Sequence, residues 1–171
     1  MGILVCGLNG SGKSTLGRAL AAALRLRFLD SEDLYFPDGR FDAPRTREEF
    51  LAALDAATRE GDFVFASVKG NGVQALRGRI SLAIWVDAPR ETRLQRVRER
   101  SFRRFGERML PGGDLYAAEE RFFAQVASRS DEEMRAWAAQ LPWPVLRVDG
   151  TRPVQALVPE VCSWISETTG L

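Results

Sequence analysis

Gly7-Leu8-Asn9-Gly10-Ser11-Gly12-Lys13-Ser14 sets glycines, a lysine and a hydroxyl at fixed intervals between two apolar segments of different period. Residues 3–6 before it are an unbroken apolar run, the pattern of a parallel strand buried on both faces. Leu16, Leu20 and Leu24 after it recur at helical spacing, to about residue 25. Strand, glycine turn and helix together meet G-x-x-x-x-G-K-[ST] at every fixed position. Glycines let successive N–H groups turn inward around phosphate oxygens, and the following helix aims its positive end at the same place. Gly7, Asn9, Gly10, Ser11, Gly12, Lys13, Ser14 and Thr15 are therefore expected to cradle the phosphates of ATP. In this pattern the lysine reaches the β- and γ-phosphates and the Ser14 hydroxyl ligates Mg²⁺.

Outward from this loop, strands and helices alternate. Residues 26–30 read as a second strand, and residues 31–44 as loop broken by Pro37, Gly39 and Pro44. Thr46 and Glu49 have capping-box spacing, which starts a helix running to about residue 60. Residues 63–68 are a third strand, 69–72 a turn, 82–86 a fourth strand, and Pro89 opens a helix with Leu94 and Val97 on its inner face. Residues 101–115 are rich in arginine and glycine, and Pro111-Gly112-Gly113-Asp114 breaks the chain before helical sequence over 116–140, interrupted near Ser130. Residues 144–149 are a fifth strand, and Thr151 can cap a last helix that fades at Gly170. The expected fold is α/β: a three-layer P-loop NTPase fold, a five-stranded parallel sheet between helices with an Arg-rich lid.

A chain of 171 residues has the length of one domain, 1–171, with the lid at about 101–115. No apolar run reaches the roughly 18 residues of a spanning helix, and no basic leader precedes the first strand, so the expected location is the cytoplasm, away from membranes. A net charge of +1 gives no general attraction to nucleic acid, and a monomer or weak homodimer is expected. Histidine is absent, so acid–base chemistry must rest on carboxylates. Of 24 basic residues only Lys13 and Lys69 are lysine, which gives Lys69, just after the third strand, a claim on an acceptor's carboxylate or phosphate, against the alternative of a surface lysine on a turn. Cys6 and Cys162 have no CxxC spacing and read as free buried thiols.

The loop, with Phe28-Leu29-Asp30-Ser31-Glu32 and Ile84-Trp85-Val86-Asp87-Ala88-Pro89 ahead of an arginine-rich helix, resembles the nucleoside monophosphate kinase superfamily, and within it the shikimate and gluconate kinase branch. The resemblance implies phosphoryl transfer from ATP to a small-molecule acceptor. It makes Asp30 a catalytic acid and Mg²⁺ organiser, and Glu32 and Asp33 acceptor-binding residues. Asp30 and Asp33 could instead only cap or flank a helical turn. It also implies that arginines fold over the transferring phosphate. Arg93, Arg96 and Arg100 share one helical face, and Arg103, Arg104 and Arg108 follow in the lid; Arg96, Arg100 and Arg104 are the catalytic candidates, against a solvated stripe paired with Glu91, Glu99 and Glu107. The loop holding Thr151 and Pro153 resembles the adenine cradle. Arg45 and Arg47 lie where the acceptor binds, and Lys69-Gly70-Asn71-Gly72 departs from the glycine run of shikimate kinases. Two other activities stay open at this point. Arg45, Arg47 and Lys69 would also serve a nucleoside monophosphate, and Asp87 at a strand end would suit an AAA-type ATPase switch.

Overall fold

A computed structural model of the chain describes residues 1–37, 43–70 and 72–170; Gly39 and Asn71, read above as turn residues, lie outside them. Five strands, β1 Gly2–Cys6, β2 Arg27–Asp30, β3 Phe63–Ser67, β4 Ile80–Asp87 and β5 Val145–Asp149, pair in parallel in the order β2-β3-β1-β4-β5. Each of the first four is followed by a crossover that returns the chain to the same edge, so Asp30, Cys6, Ser67 and Asp87 all end at one rim. The chain leaves β1 for β2 and comes back beside it on both sides, which opens a crevice past Cys6.

The unbroken apolar strands are covered on two faces. Ile3 and Val5 pack with Leu16 and Leu20 of helix α1 (Lys13–Leu24) and with Leu157, Val161 and Ile165 of α7 (Val154–Thr169). Leu4 and Cys6 face the other way, onto Phe50 and Leu54 of α3 (Arg47–Thr58) and Met134 and Ala138 of α6 (Asp131–Ala138). The Thr46 hydroxyl accepts from the Glu49 amide at 3.2 Å while Glu49 accepts from the Thr46 amide at 2.8 Å, so both halves of the expected capping box form.

Two expectations are corrected and a third is extended. Part of the segment read as loop is helix α2 (Ser31–Tyr35), started by Asp30, whose Oδ1 accepts from the Glu32 amide at 2.9 Å. The Arg-rich segment at about 101–115, read in the sequence as a lid with a chain break at 111–114, is packed structure. Helix α4 runs Arg90–Phe105, a 3₁₀ turn follows at Gly106–Met109, and α5 (Tyr116–Ser128) packs back against both through Val97, Met109, Phe123 and Val126. Lastly, Thr151 does not cap α7. Its amide and hydroxyl both donate to Asp149 Oδ1, at 2.8 and 2.7 Å, and Pro153 holds the capping position, its fixed φ suited to helix entry. No helix among the described residues is long and apolar enough to cross a membrane.

Candidate active site

The phosphate loop fills the turn between β1 and α1. Gly12 adopts the left-handed conformation as the N-cap of α1, no side chain caps that end, and no acidic residue stands in the first turn. Orphan amides and the positive end of α1 are thus left to an anion, and the donor set fits a polyphosphate. Gly10 is held at φ 81°, and a Cβ there would lie 2.2 Å from the Arg93 carbonyl oxygen. The loop is therefore clamped against α4 with no room for a side chain. Asn9 Oδ1 and Ser11 Oγ are buried in it without partners.

Lys13 is 7% exposed, at the rim where β1 and β2 end. Burial pushes its ammonium below the ordinary lysine range; the charges of Asp30 and Glu32 counter this, and those of Arg100 and Arg129 add to it. Two carboxylates and two guanidiniums therefore act on one ammonium, and the three cations among them suit an anionic group. Asp30 is 8% exposed, and its cap bond to Glu32 occupies Oδ1 and fixes the carboxylate. Asp33 is raised by burial, then by the neighbouring Asp30, with Arg18 opposing.

The arginine stripe divides by occupation. Arg93 is buried, donating to the Ala88 carbonyl and to Asp131. Arg96 Nη1 donates to Gly150 O at 2.8 Å and reaches Gly10 O and Ser11 O at 3.4 Å, so this side chain staples α4 to the phosphate loop and to the turn after β5. Arg100 is exposed, within electrostatic reach of Lys13. Arg108 pairs with Asp114 at 2.6 Å and Arg98 with Glu120 at 3.0 Å, both on the surface, while Arg104 lies over the Phe105 ring at 5.3 Å.

Two hollows open where the strands end, the first of them against the loop. One of about 340 Å³ is lined by Gly12, Thr15, Arg96, Gly150, Thr151 and Pro153, which brings Thr151 and Pro153 to the phosphate loop. The other, about 260 Å³, lies beyond the β2 and β3 ends, with Tyr35, Arg47, Phe50, Leu51, Gly70 and Gly72 lining it. Arg45 is spent on structure, its Nη1 donating to Leu34 O at 2.6 Å. Lys69 is engaged on the surface with Glu133 at 3.3 Å.

Arg129 escaped the sequence reading. It follows α5 as a half-buried guanidinium that makes no hydrogen bond or ion pair among the described residues, and burial, then the charge of Arg93, hold it below the usual arginine range. A lone arginine between two helices has no periodicity to mark it. The Ser130–Glu133 cap of α6 does place it just ahead of a helix start, where a short turn can aim it at the site.

A family model described as an AAA domain matches residues 3–107, from β1 into the 3₁₀ turn after α4. The chain belongs to the AAA domain family. A shikimate kinase of Symbiobacterium thermophilum is 35% identical over 151 residues, covering 74% of this chain and 83% of the relative. The uncharacterized protein YqaC of Bacillus subtilis is 30% identical over 175 residues, 96% and 97% of the two chains. The crystal structure of shikimate kinase from Aquifex aeolicus superposes with a TM-score of 0.60 at 18% identity, over 99% of this chain and 98% of that one. Within the P-loop proteins, this AAA domain chain falls in the shikimate and gluconate kinase-like branch. The match ends at residue 107, so the turn that carries Arg129 and the loop at Gly150 lie outside the family model.

Proposed function

We propose that the protein is an ATP-dependent phosphotransferase that moves the γ-phosphate of ATP onto a hydroxyl of a small anionic metabolite. The observation that carries this reading is the Lys13 ammonium, buried beside the uncapped start of α1 and acted on by Asp30, Glu32, Arg100 and Arg129 at once. The AAA domain family and the shikimate kinase relatives support it.

In this reading the amides of residues 7–15 and Lys13 hold the β- and γ-phosphates, and the purine lies in the hollow bounded by Arg96, Thr151 and Pro153. Arg96, tied to three carbonyls, acts by bracing this pocket. The acceptor occupies the hollow at Tyr35, Phe50 and Gly70, its anion read by Arg47, since Arg45 is committed to Leu34. Glu32 and Asp33 precede Tyr35 of this hollow on the same short helix α2 and would bind the acceptor from that side. Lys69 reaches it only by exchanging Glu133 for the acceptor's anion. The acceptor hydroxyl gives its proton to Asp30 Oδ2 as its oxygen bonds to the γ-phosphorus and the bond to the β-bridging oxygen breaks, releasing ADP. Lys13, Arg100 and Arg129 hold the charge that spreads over the equatorial oxygens. Mg²⁺, held by the Ser14 hydroxyl and, through a bound water, by Asp30, would neutralise the phosphate oxygens. In the same reading the protein works in the cytoplasm, where ATP is supplied.

Asp30→Asn separates chemistry from folding, because asparagine caps a helix about as well as aspartate. Acceptor-stimulated ADP release is expected to fall roughly a hundredfold or more while ATP affinity and melting temperature hold. Unchanged turnover removes Asp30 from the chemistry.

A further inference from the structure

Arg93 heads the fully buried side chains by size among the described residues, and it is a cation, 1% exposed. Its Nε donates to Ala88 O at 3.1 Å, its Nη2 to Asp131 Oδ1 at 2.7 Å, and its Nη1 is buried without a partner. Its one counter-charge among the described residues, Asp131, is 45% exposed. An arrangement of this kind is a poor source of stability. A guanidinium taken out of water loses hydration that one half-exposed carboxylate does not restore, and an apolar side chain of similar volume commonly serves as well or better.

What Arg93 does provide is a junction of three segments. Its backbone abuts the phosphate loop at Gly10, its Nε holds the chain just past β4, and its Nη2 holds the first residue of α6. Asp131 lies two residues beyond Arg129, so the Arg93–Asp131 bond fixes the turn from which Arg129 projects. Arg93 also repels Arg129 electrostatically, and Arg129 in turn acts on Lys13. We propose that Arg93 is a positioning residue: it ties the α5–α6 turn to the phosphate loop and so holds the Arg129 guanidinium, which projects from that turn, where it can reach the γ-phosphate. This rests on the reading of residues 7–15 and Arg129 as the phosphoryl-transfer site.

The test measures contacts to the γ-phosphate with no acceptor needed, as the ratio of the dissociation constants of MgADP and magnesium β,γ-imido-ATP. Arg129→Ala is expected to lower the preference for the triphosphate roughly tenfold. Arg93→Met is expected to lower it about as far, with MgADP affinity within about twofold of wild type, and the double variant to fall no further than Arg129→Ala alone. A wild-type ratio in Arg93→Met, or losses that add in the double variant, overturns the positioning role. No change in Arg129→Ala overturns the reading of the site itself. Should Arg93→Met fail to fold, Arg93→Gln is measured in the same cycle; if neither folds, Arg93 is a folding residue and the proposal fails.

Discussion

Replacing Arg96 by methionine keeps most of the side chain's volume and removes the donors that join three segments. The bond to Gly150 O at 2.8 Å is charge-assisted and part-buried, while the two contacts at 3.4 Å are at the edge of hydrogen-bond geometry. Only the first carries substantial weight, so the loss is about 2 kcal/mol. For a chain of this length that is a fall of about 4–8 °C in melting temperature. Gly150 has little freedom to compensate, since its Cα already packs so closely that a Cβ would lie 2.3 Å from Ser11 O. The freed segments line the nucleotide-side hollow, so MgADP affinity should fall about tenfold. Thermal melts give the first number and titration calorimetry with MgADP the second. Arg108→Gln, which breaks an exposed pair with Asp114, is the control and should change neither. A melting temperature that falls while MgADP affinity stays at the wild-type value would refute the placement of the purine beside Arg96.

Other outcomes test separate parts of the account. Gly10→Ala forces a Cβ at positive φ into the Arg93 carbonyl and should cost well over 2 kcal/mol in melts, whereas Gly12→Ala, whose nearest neighbour would be 3.8 Å away, should cost about 1 kcal/mol. Equal losses at the two positions would mean that α4 does not clamp the loop. Burial pushes the Cys6 thiol up to about 12, so at about pH 8 its thiolate fraction is on the order of 10⁻⁴ and a thiol reagent should reach it only on unfolding. Fast modification of Cys6 in the native protein would place it outside the core. Because the Lys13 ammonium is held below the ordinary lysine range and phosphate favours its charged form, nucleotide binding should take up protons in alkaline solution and weaken as pH rises. Calorimetry in two buffers reads that uptake, and Lys13→Ala should abolish it; binding without uptake contradicts a lysine on the phosphates.

Much of this was legible in the sequence, for reasons that differ by element. The phosphate loop could be read because its glycines are dictated by backbone geometry, and β1 and β4 because strands buried on both faces leave unbroken apolar runs. Thr46 and Glu49 could be read because a reciprocal cap needs two residue types at one spacing. Helix α2 was hidden by its five-residue length, too short for a period. The packed lid was hidden because Pro111 and Gly112 drew the break away from Gly106, where α4 ends. Thr151 was misread since Asp149, two residues earlier, claims its hydroxyl. Eight arginines fall between positions 90 and 108, and nothing in the sequence distinguishes the buried Arg93 from the exposed Arg100, because burial of a cation depends on a carboxylate 38 residues away.

The most direct test of the central claim follows the γ-phosphate itself. The protein is incubated with ¹⁸O-labelled ATP and a panel of hydroxylated anionic metabolites, and the products are read by mass spectrometry. The account predicts a labelled phosphomonoester of one acceptor, formed in step with ADP and lost in Lys13→Ala. ATP hydrolysis that no acceptor stimulates, with the label only in inorganic phosphate, would contradict it.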